Sequence, residues 1–155
     1  MRALAAGVCV LLAGLPAPGE EHAPANLAKG RPATASSTQG DEHGADQACD
    51  GDPGTRWCAS DASVPQWWQV DLGAACDLGG CTISWEQRAA YGYTVKGSQD
   101  GRQWTVLAAA AAGATSQLRE HTFAATGMRY LRIDIERLEE GKWASIFEVA
   151  VIPAR

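Results

Sequence analysis

Short runs of alternating apolar and polar residues, separated by glycine, aspartate or proline, are the pattern that most constrains the fold of this 155-residue chain. In the clearest run Trp68, Val70 and Leu72 alternate with polar residues, as the two faces of a strand require. Asp100-Gly101 joins two such runs and predicts a tight hairpin. Eight runs fit the description: residues 33–38, 67–72, 81–86, 91–98, 104–107, 117–123, 128–136 and 146–152. The pattern predicts an all-β fold of about eight strands, a sandwich or a barrel.

One stretch departs from this pattern. Ala108 to Ala112 are five consecutive alanines, and alanine has the highest helix propensity of all residues. The stretch is short, ends at Gly113 and lies between two strand runs. We therefore interpret it as a loop or a strand end with about one helical turn.

The first residues have the character of a leader rather than of a folded domain. Met1-Arg2 is positively charged, residues 3–15 are apolar, and residues 16–19 are rich in proline and small side chains. The apolar run is too short to cross a bilayer, which needs about 20 residues. We predict a signal peptide that ends at Gly19 or at Ala25, a linker over 20–25, one domain over 26–153, and a secreted or periplasmic protein.

Charge argues against two classes of partner. The chain has 13 Lys and Arg against 18 Asp and Glu, and removing residues 1–19, which contain only Arg2, changes the net charge from −5 to −6. A sequence-independent nucleic-acid binder needs a clustered positive surface, so nucleic acid is excluded as a partner. Binding to anionic membranes is disfavoured by the negative net charge. It is also disfavoured because no loop carries a run of bulky apolar residues.

Four cysteines follow the leader, Cys49, Cys58, Cys76 and Cys81, and four cysteines allow three pairings. Outside the cytosol disulfides are expected, and the shortest loops pair Cys49 with Cys58 and Cys76 with Cys81. A zinc site is the alternative. The spacing lacks the paired CxxC motifs of zinc knuckles, so we favour the disulfides.

Six segments in order carry a family resemblance: residues 26–37, 49–57, 65–73, 93–104, 129–133 and 145–149. Among them are Asp50-Gly-Asp-Pro-Gly-Thr55, Pro65-Gln-Trp-Trp68 and Tyr93-Thr-Val-Lys-Gly-Ser98. The chain resembles the coagulation factor 5/8 C-type, or discoidin, domain, and most of all the bacterial carbohydrate-binding modules of that superfamily. The resemblance covers residues 26–152 and implies a galactose-binding-like jelly-roll β-sandwich, which agrees with the strand count.

The Asp50 to Thr55 loop offers carboxylates, a hydroxyl and flexible glycines, which suit a hard cation such as Ca²⁺. An EF-hand is excluded, because position 6 would be Thr55 and position 12 would be Asp61. The resemblance implies a structural calcium. Its carboxylates would be Asp50 and Glu148, and its other oxygens would come from Gln47, Asp52, Thr55 and Phe147. The alternative is a solvated turn in which the aspartates only cap backbone N–H groups.

No sequence motif of a hydrolase, metalloprotease or nucleotide-binding enzyme occurs in the chain, so we predict a binding module and not an enzyme. In the family, ligands lie on loops at one end of the sandwich. The predicted ligand residues are His43, Glu86, Arg88 and Trp143, with Trp143 stacking on a sugar face. A solvated loop remains the alternative for His43 and Arg88, and packing remains the alternative for Trp143.

Core positions are predicted for most of the other tryptophans, namely Trp57, Trp68, Trp85 and Trp104, while Trp67 is left undecided. The expected function is recognition of terminal galactose-like sugars on glycans. The alternatives are adhesion to a cell-surface protein and a targeting fragment of a larger secreted glycoside hydrolase.

Overall fold

A computed structural model describes residues 25–111 and 113–155. The predicted signal peptide and nearly all of the linker lie outside these residues. Two short 3₁₀ helices, Asp41–His43 and Ala45–Ala48, precede most of the strands. The strands are β1 (Ala33–Ala35), β2 (Trp57–Cys58), β3 (Gln66–Trp85), β4 (Gly92–Ser98), β5 (Thr105–Ala109), β6 (Leu118–Arg137) and β7 (Ser145–Pro153).

All strand pairs are antiparallel, and β3 and β6 each run through both layers of the sandwich. The first half of β3 pairs with β1 and with the second half of β6, which continues to β4 and β5. The second half of β3 pairs with the first half of β6 and with β7, which continues to β2. The predicted all-β sandwich is therefore confirmed.

The two halves of β3 and β6 are separated by a bend rather than by a loop. The β3–β6 register shifts between Asp71 and Gly80, where the two strands turn from one layer into the other. Glycine is required at position 80, because a Cβ there would collide with the backbone carbonyl of His121. Four of the predicted runs thus form two long strands.

The core lies between the two layers. Trp57, Trp68 and Trp85 are fully buried, as predicted, and they pack with the inward residues of β3, β6 and β7. Trp85 stacks on Tyr91 with ring centroids 4.1 Å apart. Burial of such large side chains supplies much of the hydrophobic stabilisation of a sandwich of this size.

The predicted core position of Trp104 is wrong, and Trp67, which the sequence left undecided, also lies outside the core. Both are only partly buried. The guanidinium of Arg132 lies 4.3 Å from the Trp67 ring centroid and 5.5 Å from that of Trp104. Arg132 alternates with the inward residues Leu131 and Ile133, so the cluster is on the outer face of the sheet. A cation over an aromatic face stabilises this cluster without any role in the core.

The alanine stretch ends a strand. Ala108 and Ala109 close β5, and the Ala110 N–H donates to the Tyr93 carbonyl at 2.9 Å. Among the described residues, no helix is long and apolar enough to cross a membrane.

All four predicted disulfide cysteines are free in this structure. The Cys49 thiol donates to the Arg31 carbonyl at 3.4 Å, while the Cys58 thiol faces Ser145. Cys76 and Cys81 lie along one strand, with Cys76 partly exposed at the bend and Cys81 buried in the core. Neither predicted pairing is formed.

Candidate functional site

Four segments meet at one end of the sandwich, and we call this the loop end: residues 39–44, 56–60, 86–91 and 139–145. Backbone hydrogen bonds of 2.9–3.1 Å join them, from Gln39 to Cys58, from Ala59 to Ala144 and from Glu86 to Ser145. These segments come together because β2 pairs with β7 and β7 pairs with β3. Every predicted ligand residue, His43, Glu86, Arg88 and Trp143, lies in this set.

An ion pair that sequence reasoning missed lies at the loop end. Arg56 Nε is 3.3 Å from Glu86 Oε1, and the two side chains are 28% and 27% exposed. Arg56 precedes the buried Trp57, and no local motif marks it as a partner of a residue thirty positions away. The pair presents a guanidinium donor beside a carboxylate acceptor, an arrangement that suits a ligand rich in hydroxyl groups.

Trp143 is partly buried, and its backbone carbonyl accepts a 3.3 Å hydrogen bond from the Tyr91 hydroxyl. Glu139, in the same loop as Trp143, also joins this loop to residues 86–91, because its carboxylate accepts from the Ala90 N–H at 2.9 Å. Arg88 is exposed. The structure thus brings the predicted residues to one end, although it records no hydrogen bond or ion pair between any two of them.

Several buried polar atoms at the loop end have no hydrogen-bond partner within the described part of the chain. They are His43 Nδ1, Gln87 Oε1 and Arg56 Nε, which faces Glu86 without hydrogen-bond geometry. Buried polar atoms in folded proteins are nearly always paired with protein, water or ligand. The loop end therefore has buried donors and acceptors whose hydrogen-bonding capacity the described residues do not satisfy.

The predicted metal loop is built around Thr55. Its hydroxyl donates to Asp50 Oδ2 at 2.8 Å, and it also lies 3.0 Å from the Asp52 carbonyl oxygen and 3.4 Å from that of Gln47. A hydroxyl has one hydrogen and can satisfy only one of these acceptors at a time. Gly51, with φ of 82°, makes the turn that brings the oxygens together.

Glu148 reaches this loop from β7. Its Oε2 accepts from the Gly51 N–H at 3.3 Å, and its Oε1 accepts from the Asn26 side-chain amide at 3.4 Å. Burial raises the pKa of Glu148 and the nearby Asp50 charge adds to this, while the Gly51 N–H bond and the Lys29 charge oppose the rise. Phe147, the remaining predicted ligand, is the preceding residue of β7.

One cation, Lys29, lies beside the oxygen cluster, since its side chain passes Gly51 and its charge acts on Glu148. The cluster consists of the carboxylates of Asp50 and Glu148, the backbone carbonyls of Gln47 and Asp52, and the Thr55 hydroxyl. The side-chain oxygen of Gln47, Oε1, is buried and has no partner within the described residues. No group of three or more His, Cys, Asp or Glu side chains in the described residues can hold a metal ion. A hard cation does not require such a group, because neutral oxygens form much of its coordination shell. The donor set fits calcium.

A jelly-roll sandwich with a loop end of this kind is typical of small binding domains, and comparison with known proteins agrees. The F5/8 type C domain model matches residues 32–149. Comparison with curated protein sequences found no significant match.

Three solved structures illustrate the likeness. Chitosan-binding module 1 of the chitosanase/glucanase from Paenibacillus sp. IK-5 is 31% identical, with a TM-score of 0.76 over 82% of this chain and 98% of that module. Module 2 of the same enzyme, in complex with chitotriose, is 27% identical, with a TM-score of 0.76 over 82% and 99%. The CBM32 of AlyQ, in complex with 4,5-unsaturated mannuronic acid, is 27% identical, with a TM-score of 0.68 over 79% and 95%.

The chain belongs to the F5/8 type C domain family, since the family model spans most of its length. The similar structures above are binding modules. The predicted family is thereby confirmed, together with the predicted fold.

Proposed function

We propose that this chain is a non-catalytic carbohydrate-binding module that holds a sugar at the loop end. The observation that carries the proposal is the convergence there of Trp143, the Arg56–Glu86 ion pair and the unpartnered His43 Nδ1. Sugars offer an apolar face and a hydroxylated edge, so their binders combine an aromatic ring with a few directed polar groups. The similar binding modules support the same interpretation.

The sugar expected from the family resemblance is a terminal galactose-like residue. A loop site of this kind contacts one face of a monosaccharide, so the affinity is low. At about 0.3 kcal/mol per ligand atom, a twelve-atom sugar gains about 4 kcal/mol, which corresponds to a millimolar Kd. Such a site acts within a multivalent array or as a targeting arm of a larger hydrolase, where effective concentration raises avidity.

An amino sugar is the second candidate, and the charges of the loop end favour it. Carboxylates outnumber cations there: Asp41, Glu42, Glu86, Glu139 and Glu140 against Arg56, Arg88 and Lys142. A protonated glucosamine amine is attracted to such a surface. Two of the similar modules, 31% and 27% identical to this chain, are chitosan-binding modules, and the second is in complex with chitotriose.

We also propose that a structural Ca²⁺ occupies the oxygen cluster of Gln47, Asp50, Asp52, Thr55 and Glu148, with Phe147 contributing its carbonyl. The crowding of three acceptor oxygens on the Thr55 hydroxyl supports this proposal. The ion would add to the positive charge of Lys29 beside Asp50 and Glu148 and would hold β7 to the loop. It would take no part in chemistry on the sugar.

Export through the apolar leader, with glycans as extracellular partners, completes the proposal. Titration calorimetry tests the ligand with galactose, N-acetylgalactosamine, fucose and glucosamine oligomers. Saturable heats with any of them support a sugar site, and the strongest ligand separates the two candidate classes. Absence of heats with all of them and with a broad glycan array would contradict the sugar proposal and would favour adhesion to a cell-surface protein.

A further inference from the structure

A recess lies at the side of the sandwich, away from the Thr55 loop. We call it the lateral gap, and it is lined by Tyr93, Ala111, Ala114, Ser116, Leu118, Arg119, Glu120 and His121. Its volume is about 300 Å³, which is at the lower end of the range for small-molecule sites. The first half of β6 forms one wall, and within the described residues it pairs only with β3, so its other edge is open.

Two layers of the sandwich meet across the gap. The Tyr93 hydroxyl of β4 lies 2.9 Å from His121 Nε2 of β6, and their rings are nearly perpendicular at 5.7 Å. Burial lowers the pKa of His121, and the charge of Arg119 lowers it further. The imidazole is therefore neutral at pH 7, and the pair offers hydrogen-bonding groups without a second positive charge.

Arg119 is the unusual member of this recess. Its side chain points inward and is only 7% exposed, and none of the ion pairs among the described residues includes it. Its Nη2 donates to the Ala89 carbonyl at 3.0 Å and to the Ala114 carbonyl at 2.6 Å, while its Nε has no partner. Glu120, the neighbouring carboxylate, also lines the gap, but it is exposed, alternates with Arg119 along the strand and forms no ion pair with it.

A buried guanidinium normally has a carboxylate or phosphate counterion, because carbonyl oxygens alone do not neutralise its charge. We propose that the lateral gap is a second binding site, which takes a small carboxylate no larger than a hexuronic acid, with the carboxylate facing Arg119. A monoanion matches the single buried charge of the gap, that of Arg119, while the carboxylate of Glu120 is exposed to solvent. A phosphate dianion would leave an uncompensated negative charge there.

This inference does not depend on the sugar proposed for the loop end, and the test separates the two. The native protein is titrated with sodium glucuronate at constant ionic strength, and NMR follows the His121 imidazole and the backbone amides of residues 114–121. We expect saturable shifts in this set. Glucose, which has the same ring without a carboxylate, should leave it unchanged.

Sodium acetate distinguishes the source of the carboxylate. Shifts with acetate as well as glucuronate mean that a free small acid suffices, and shifts with glucuronate alone mean that the sugar ring contributes. Both results support the site. Shifts confined to the loop end, or none up to about 100 mM, a hundredfold above a millimolar Kd, would overturn it.

A variant pair tests the role of Arg119. Arg119→Gln should weaken glucuronate binding by about tenfold or more, because a hydrogen bond to a charged group is lost. Arg137→Gln, which removes an exposed arginine further along β6, should leave binding within about twofold. Wild-type affinity in folded Arg119→Gln would contradict the proposal.

Should Arg119→Gln fail to fold, the wild-type protein still decides. A bound carboxylate stabilises the imidazolium, so glucuronate should raise the pKa of His121 whereas an equal concentration of sodium chloride should not. The titratable groups around this imidazole are Arg119, Tyr93, the buried thiol of Cys81, its register partner in β3, and the exposed Glu120 that precedes it. An unchanged His121 pKa at saturating glucuronate would rule out the site.

Discussion

Arg56 Nε lies 3.3 Å from Glu86 Oε1, and this ion pair ties the segment that leads into β2 to the loop that follows β3. The two residues are thirty positions apart, and they meet because β7 pairs with both β2 and β3. The Glu86 N–H also donates to the Ser145 carbonyl at 3.1 Å, beside the loop of Trp143. One residue therefore fixes the relative positions of three segments of the proposed sugar site.

Trp143 should be the stacking residue of that site. Trp143→Ala should weaken sugar binding by about tenfold, because the loss of an aromatic face removes about 1–1.5 kcal/mol. Trp104→Ala is the matched control, since Trp104 is also partly buried but lies beside Arg132 on the outer sheet face. Calorimetry on both folded variants measures the difference. Equal losses for the two variants would mean that Trp143 serves packing alone.

Glu86 should separate the two ligand classes. Glu86→Gln keeps the shape of the side chain but removes the charge, so the affinity for a glucosamine oligomer should fall by about tenfold and become less sensitive to salt. The affinity for a neutral galactose-like sugar should change less, and that difference is read from parallel titrations. A glucosamine affinity that Glu86→Gln leaves unchanged would argue against the amino sugar.

Calcium should stabilise the fold through Glu148. At a hundredfold excess over Kd, a ligand bound only to the folded state adds about 2.7 kcal/mol, so Tm should rise with Ca²⁺ and fall with chelator. Glu148→Gln should abolish this response. The exposed Glu136→Gln control should keep it.

The same residue predicts a pH dependence in the metal-free protein. Burial, followed by the Asp50 charge, raises the pKa of Glu148 above its unfolded value of 4.5. Ionisation of this carboxyl is therefore less favourable in the folded state than in the unfolded state. The free energy of unfolding should fall as the pH rises from 4.5 to the folded-state pKa of Glu148. In chelator at pH 7, Glu148→Gln should be at least as stable as wild type. A clear loss of stability, with the calcium response retained, would contradict the proposed site.

The cysteines should be free thiols that differ in their reactivity toward a labelling reagent. Burial raises the pKa of Cys81 to about 12. The pKa of Cys49 is also raised to about 12, by burial and by the nearby charges of Asp46, Glu148 and Asp50. Thiolate is the reactive form, so these thiols should resist labelling in the native state, whereas the partly exposed Cys76 should react first. Cys76→Ser is the control. Free thiols are then counted in the denatured protein without reductant. A count below the number of cysteines would indicate a disulfide that this structure lacks.

Much of the sandwich is predictable from the sequence because strand alternation is a local property. The inward positions of Trp68, Val70 and Leu72 follow from period two alone. The same period places Trp67 on the opposite face, although residue type alone left it undecided. The two-residue strand β2 has no such period and was not predicted.

The failures concern contacts that depend on topology. Trp104 was placed in the core by residue type, but it lies at the hairpin end before β5, where Arg132 of β6 covers it on the outer face. Arg56 and Arg119 carried no local signal, because their environments are formed by strands and loops distant in sequence. The metal loop was predictable as a motif, while the crowding on the Thr55 hydroxyl is visible only in three dimensions.

The central claim is that the loop end binds a sugar, and NMR shift mapping tests it most directly. Calcium-loaded protein is titrated with galactose, N-acetylgalactosamine, fucose and glucosamine oligomers while all backbone amides are followed. We predict that at least one sugar causes saturable shifts in residues 41–44, 56, 86–91 and 141–143, with little change on the outer sheet face around Trp67 and Trp104. Shifts absent from these loops for every sugar, or confined to the outer sheet face, would contradict the proposed function.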